Sequence, residues 1–206
     1  MIYINHDKKY IFIRTAKTAS TSIVTYLNIL NDDGSFNVKL YPPSYPYDPN
    51  HIPSTFIKDN FPEYFNEYFK FAFVRNPWSR MVSIWKMSMA YHSRIPDFKQ
   101  YVKSIPTLEW MPDKGPHGKN PREVWLHKYS LMYEFTKGCD FIGKFENIQE
   151  DFNIVCDKIG IPRTKLPHKN KTNHKHYTEY YDDETREIVT ERYAKDIEYF
   201  GYEFGE

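Results

Sequence analysis

Glycine and cysteine are scarce in this chain: its 206 residues include 8 Gly and 2 Cys. So little glycine rules out a collagen-like or low-complexity chain. The loop from Arg14 to Ser22 has no glycine, so it is not a phosphate loop of the GxxxxGK[ST] type. Cys139 and Cys156 form neither a CxxC nor a metal-ligand spacing, so no disulfide scaffold or zinc ribbon is expected, and a reducing compartment fits best. An excess of one charge is missing too. Lys and Arg number 28 against 27 Asp and Glu, a formal net charge of +1, so no global field marks a nucleic-acid or membrane-surface binder and any anion site must be local. No run approaches the roughly 18 apolar residues of a membrane span. The opening residues, Met1-Ile2-Tyr3-Ile4-Asn5-His6-Asp7-Lys8-Lys9, place charges where a signal peptide needs its apolar stretch. A soluble or cytoplasmic protein without a membrane span is expected.

Aromatic residues are abundant, with Tyr 18, Phe 15 and Trp 4, and hydrophobic residues make up 40% of the chain. That is enough for a core, and the length suits one globular domain over residues 1–206. Strands and helices alternate. Tyr10-Ile11-Phe12-Ile13 reads as a strand, and Ile23, Tyr26, Leu27 and Leu30 follow at helix spacing. Phe71-Ala72-Phe73-Val74 is a second strand. Asn76-Pro77 then starts a helix carrying Met81, Val82, Trp85 and Met89 inward. A third strand, Phe141 to Phe145, leads to a helix from about Asp151 to Ile159 that stops at Gly160 and Pro162. A last helix from about Asp183 carries Val189, Tyr193, Ile197 and Phe200 inward. This alternation predicts an α/β fold with a central parallel sheet and helices on both faces. Prolines cluster from Pro42 to Pro53 and from Pro96 to Pro121, marking two irregular connections.

Two loops carry the candidate chemistry. The first, Arg14-Thr15-Ala16-Lys17-Thr18-Ala19-Ser20-Thr21-Ser22, lies between a strand and its helix. Small residues, successive N–H groups and a helix N-terminus suit a phosphate, with Lys17 as a mobile cation and Ser20, Thr21 and Ser22 as hydroxyl donors or caps. A capped helix start with a solvent lysine reads the same residues without a ligand. The second, Arg75-Asn76-Pro77-Trp78-Ser79-Arg80-Met81-Val82-Ser83, begins at the C-terminal end of a buried strand, where open α/β sheets bind ligands. Arg75, Arg80 and Ser83 could converge on an anion, or the arginines could pair with acids on neighbouring helices.

Together, Phe12 to Ser22 and Phe71 to Ser83 resemble the cofactor loops of sulfotransferases that use 3′-phosphoadenosine 5′-phosphosulfate (PAPS), especially the carbohydrate branch related to the heparan sulfate 2-O and chondroitin enzymes. Phe141-Ile142-Gly143-Lys144-Phe145-Glu146-Asn147-Ile148 and the segment from Asp196 to Phe204 add to the likeness, which covers most of the chain in order and spacing. Many relatives read Pro-Lys-Thr-Ala-Gly-Thr in the first loop; this chain has Ala16 for the Pro and Ser20 for the Gly. The resemblance implies a P-loop-like sheet and transfer of a sulfuryl group from PAPS to an acceptor hydroxyl, expected on a carbohydrate, leaving 3′-phosphoadenosine 5′-phosphate.

The same resemblance implies roles. Lys17, Thr18, Ala19, Ser20, Thr21 and Ser22 would bind the 5′-phosphosulfate, with Lys17 stabilising charge on the departing phosphate, and Arg14 would also contact the cofactor. Arg75 and Ser83 would bind the 3′-phosphate. His51 matches a histidine that takes the acceptor proton, and an ordinary imidazole pKa of about 6.5 suits that step; Glu63, Glu67 and Asp48 are substitutes. Asn170, Lys171 and Thr172 match an Asn-Lys-Ser/Thr segment of relatives inside the basic stretch from Arg163 to Tyr177, which would close over the cofactor, with Lys171 and Thr172 binding it, or attract a sulfated or acidic glycan, and which also reads as a solvated loop. His168, His174 and His176 lack cysteine or carboxylate company, so no metal is expected. Two other classes stay open: a P-loop nucleotide kinase, disfavoured by the missing Walker glycines, and a non-catalytic module binding nucleic acid or an acidic glycan. A sulfotransferase fold that binds without transferring is a further possibility. Residues from about Tyr91 to Arg122, with Trp110 and Trp125, are expected to shape the acceptor site.

Overall fold

The computed structural model describes residues 2–29, 38–40, 51–91, 95–105, 130–167 and 175–206. They fall into two compact units, Met1–Val74 with Met132–Lys171, and Arg75–Leu131 with Thr172–Glu206. Each is an assembly of strands and helices or of helices alone.

The first unit is built on a five-stranded sheet of β1 (Ile2–Asn5), β2 (Tyr10–Ile13), β3 (Val38–Leu40), β4 (Phe69–Val74) and β5 (Phe141–Lys144), in the order β3-β1-β2-β4-β5. β2, β4 and β5 are mutually parallel, as the alternation of strands and helices predicts, while β1 pairs antiparallel with both β2 and β3. The antiparallel edge was not expected from the sequence. Its hairpin turns through His6 to Lys9 without the glycine or asparagine pair that usually announces such a turn, and Lys9 itself takes the left-handed φ of 49°.

Side chains alternate across this sheet, as a period of two requires. Tyr3, Tyr10, Phe12, Phe71 and Phe73 pack on one face with Ile23, Tyr26 and Leu27 of α1 (Ser20–Ile29) and with Phe152, Val155 and Ile159 of a later helix, Ile148–Ile159. The Phe12 and Phe71 rings stack at 4.9 Å. On the opposite face, Ile4, Ile11, Ile13 and Ala72 meet Ile57 of α2 (Ser54–Asn60), Phe65 of α3 (Pro62–Glu67) and Phe135 of a short helix, Met132–Thr136. Helices on both faces explain why β2 and the Phe71 to Val74 part of β4 read as unbroken apolar runs; the strand also takes in Phe69 and the buried Lys70, which pairs with Asp140. The helix Ile148–Ile159 starts three residues before its expected beginning, and Asp151 Oδ2 in its first turns accepts from Lys144 N at the end of β5 at 2.6 Å. Gly160 closes it with a left-handed φ of 65°.

The second unit is helical. In chain order α4 is Pro77–Tyr91 and α5 is Phe98–Ser104; with Met132–Thr136 as α6 and Ile148–Ile159 as α7, α8 is Asp183–Arg192 and α9 is Ala194–Phe200. Trp78, Met81, Val82, Trp85, Tyr101, Val102, Val189 and Tyr193 are buried. Met89, expected to face inward, is exposed on the last turns of α4. The single C-terminal helix expected from Asp183 is two helices. Tyr193 leaves the helical region at φ −110° and ψ 20°, its ring buried beneath the Arg80 guanidinium at 5.7 Å. The change of axis turns Asp196 inward and leaves Ile197 half-buried.

Gly143 is where sheet and aromatic core meet most tightly. A β-carbon there would lie 2.5 Å from Cε1 of Phe73, a ring that is fully buried and held between neighbouring aromatics. Gly143→Ala should therefore destabilise the protein by about 1–3 kcal/mol through overpacking, read as a lower midpoint in urea denaturation.

Candidate functional site

Arg14 and Thr15 leave β2, the chain turns through Ala16 to Ala19, and α1 begins at Ser20. Two residues of this turn have left-handed backbone, Lys17 at φ 68° and Ala19 at φ 59°. Each costs about 1–2 kcal/mol for a residue with a β-carbon, and no glycine is present to relieve it. The family departure at Ser20 does not meet this strain. Ser20 is already helical, and the left-handed residue is Ala19, one position earlier.

The Ala19 carbonyl accepts from Ser22 N at 2.9 Å and Ile23 N at 3.3 Å. The N–H groups of Ser20 and Thr21 thus precede the helical ladder, as the first donors of any helix must. Arg14 lies across this helix start. Its Nε donates to Ser20 Oγ at 3.3 Å, Nη2 reaches Thr21 Oγ1 at 3.5 Å, and Nη1 donates to Tyr3 OH at 2.9 Å. The guanidinium is also 5.4 Å above the Tyr3 ring. A helix N-terminus, Arg14 and the half-buried Lys17 make this a concentration of positive potential, and no carboxylate occurs from Arg14 to Ser22. The donor set suits an oxyanion.

Thr18 faces the other way. It is fully buried, with Oγ1 at 2.8 Å from Thr15 Oγ1 and 3.2 Å from the Thr15 carbonyl. Thr15 in turn donates to the carbonyl of Phe73 on β4. Among the residues singled out from the sequence, Thr18 therefore offers a ligand its backbone rather than its hydroxyl. Thr15 went unnoticed; its only sequence signal is a hydroxyl immediately after a buried strand.

His51 is buried beside this loop, its Nδ1 at 3.2 Å from the Arg14 carbonyl. A carbonyl can only accept, so the neutral ring carries its proton on Nδ1 and its lone pair on Nε2. That is the tautomer a general base needs. Glu63 and Glu67 lie exposed on α3. The two thiols are poor nucleophiles: burial pushes Cys139 up to about 12 and Cys156 to about 11.

In the second unit, Arg75 is buried, and both Nε at 3.0 Å and Nη2 at 2.9 Å donate to Ser79 Oγ. Ser83 is one turn further along α4, on the face that Ser79 occupies. Ser79 is a second residue that the sequence reading passed over. Arg80 does not join Arg75. It donates from Nη1 to the Ser130 carbonyl at 3.0 Å and is 2% exposed, a structural arginine. Asn76 caps α4, its Oδ1 accepting from Trp78 N at 3.1 Å and Ser79 N at 3.3 Å, while Nδ2 donates to the Glu203 carbonyl at 2.9 Å. Lys171 and Thr172 lie outside the described residues, as do Asp48, Trp110, Trp125, His168 and His174.

Residues 1–203 match the Sulfotransferase family, and the chain belongs to it. Carbohydrate sulfotransferase 11 of Danio rerio is 24% identical over 188 residues, covering 77% of this chain and 53% of that protein. The Mus musculus protein of that name is 23% identical over 225 residues, covering 93% and 63%. An uncharacterized protein of Archaeoglobus fulgidus is 33% identical over 101 residues, covering 48% and 72%. The chain thus spans about half to two-thirds of the length of the carbohydrate sulfotransferases it matches. A crystal structure of a sulfotransferase from Alicyclobacillus acidocaldarius superposes with a TM-score of 0.51 at 14% identity, covering 92% of both chains; the two share a fold. Among the described residues no helix is long and apolar enough to cross a membrane.

The strain at Ala19 is directly measurable. Ala19→Gly should raise stability by about 0.5–1 kcal/mol, the relieved left-handed strain less the added entropy of an unfolded glycine. Chemical denaturation reads it, and an unchanged or lower midpoint would show that Ala19 is not strained.

Proposed function

We propose that this protein is a PAPS-dependent sulfotransferase acting on a carbohydrate hydroxyl, with residues 1–206 as one sulfotransferase domain. The observation that carries the reading is the loop from Arg14 to Ser22, an acid-free turn of strained backbone opening into a helix N-terminus with buried His51 against its first carbonyl. The match to the Sulfotransferase family over residues 1–203 supports the single domain, and the names of the carbohydrate sulfotransferase relatives support the acceptor class.

PAPS supplies a sulfuryl group already activated on a phosphate, which passes to the acceptor oxygen by in-line displacement. The chain's part is binding, charge stabilisation and proton removal. The N–H groups at the start of α1, with Arg14 and the Ser20 and Thr21 hydroxyls, hold the 5′ oxyanions. Lys17 places its ammonium where negative charge grows on the leaving phosphate. Arg75 and Ser83, with Ser79 fixing the guanidinium, hold the 3′-phosphate; Lys171 and Thr172 add donors from the basic segment. His51 takes the acceptor hydroxyl proton on Nε2, while Nδ1–H to the Arg14 carbonyl keeps the ring oriented.

Calorimetric titration with 3′-phosphoadenosine 5′-phosphate, beside AMP and ATP with magnesium, tests the donor. Tight binding that requires the 3′-phosphate is expected. Magnesium-dependent ATP binding without it would point instead to a nucleotide kinase, and no nucleotide binding by folded protein would favour a binding module. Arg75→Ala should weaken binding of the bisphosphate by about 1.5–3 kcal/mol. His51→Ala should leave that affinity nearly intact and cut transfer by about 10²–10⁴; full turnover would remove His51 from the base role.

A further inference from the structure

We propose that Thr15 is a positioning residue for the oxyanion loop, doing through a relay of hydroxyls what glycines do in other phosphate loops. The inference rests on the donor reading above and assigns a part to a residue that touches no ligand. β2 and β4 pair in parallel only as far as Ile13↔Ala72, yet β4 continues through Phe73 and Val74. The Phe73 carbonyl lies one residue beyond the last β2 partner, and the Thr15 hydroxyl meets it. Thr15 thereby adds one bond to the β2–β4 ladder with a side chain where backbone pairing has stopped.

The proton arithmetic fixes the direction of the relay. A carbonyl accepts only, so the single Thr15 hydroxyl proton goes to Phe73. The Thr15 oxygen, 2.8 Å from Thr18 Oγ1, is then an acceptor, and the Thr18 hydroxyl donates towards it and towards the Thr15 carbonyl at 3.2 Å. Both threonines are at most 1% exposed, so water cannot replace either partner. Thr18 sits between the two left-handed residues, Lys17 and Ala19. Such backbone persists only where its surroundings over-determine it, and here the relay from Thr18 through Thr15 to β4 holds the residue between them. If the relay is cut, Lys17 and Ala19 are free to return to negative φ, which re-aims the backbone N–H groups of the turn that leads into α1. Thr15 therefore acts on the 5′ side of the nucleotide and leaves the 3′ side alone.

The test measures affinities of the whole protein for 3′-phosphoadenosine 5′-phosphate, 5′-AMP and 3′-AMP. Thr15→Val keeps the shape and removes the hydroxyl. It should weaken the first two ligands about tenfold or more, the order of one unmet buried hydrogen bond, and leave 3′-AMP within about twofold. Thr15→Ser should restore near wild-type affinity. Adding Ala19→Gly to Thr15→Val should change the loss, because a glycine lowers the strain the relay opposes; no change on adding it would show that Thr15 acts other than through the loop backbone. Wild-type affinities in Thr15→Val, or equal losses for 5′-AMP and 3′-AMP, would overturn the proposal. Should Thr15→Val not fold, Thr18→Val cuts the relay from its other end while leaving Phe73 its donor, and the same split between 5′ and 3′ ligands decides. Wild-type protein that binds none of the three overturns the donor reading itself, a different failure from a Thr15 variant that binds as well as wild type.

Discussion

The parallel pairing of β2 with β4 is the constraint from which the first unit's arrangement follows. Both strands are buried on both faces, so their register is fixed by two aromatic and aliphatic layers at once: a slip of one residue would exchange the Phe12–Phe71 face with the Ile11–Ala72 face. With the register held, β2 must end where it does, and the chain leaving it must meet the uncovered carbonyl of Phe73. The loop's path is thus set from beneath by the core. Everything that gives the loop its charge, Arg14 over Tyr3, Lys17 and the start of α1, is placed by that anchoring.

A loop without glycine can hold left-handed backbone only if its side chains oppose relaxation. Here they do so on both sides. Thr15 and Thr18 tie it inward to β4, and Arg14 ties Ser20 and Thr21 outward across the helix start. The outward tie uses the groups that an anion would engage, whereas the inward tie does not. Under the proposed function this division separates rigidity from binding, with Arg14 exchanging its serine and threonine partners for the ligand. Preorganised donors of this kind stabilise developing charge without reorganising at the moment of transfer.

The elements and the two loops were legible because their signals are local. Unbroken apolar runs marked β2 and the last four residues of β4, Asn76-Pro77 marked the start of α4, and Gly160 marked the end of α7. What was not legible depends on contacts remote in sequence. Nothing near His51 indicates that it is buried against Arg14, 37 positions earlier. Thr15 and Ser79 look like ordinary polar residues until Phe73 and Arg75 are seen to be their partners. The break at Tyr193 is hidden in the same way, since the helical spacing from Val189 to Phe200 runs straight through it while the Tyr193 ring packs under Arg80, more than 100 residues away.

Arg75 shows how the second unit solves a similar problem with different means. If Arg75 holds a phosphate, as proposed, a guanidinium already fixed spends less of the binding energy on ordering. Ser79 fixes it by accepting two of its N–H groups, and Asn76 fixes Ser79 by accepting from its backbone N–H while its own amide holds the Glu203 carbonyl. The C-terminal segment is in turn locked by Gly205 N donating to Tyr177 OH and by Phe204 packed against Trp78, Tyr177 and Tyr181. The residues that order Arg75 thus include ones near the end of the chain, through the bond from Asn76 to the Glu203 carbonyl.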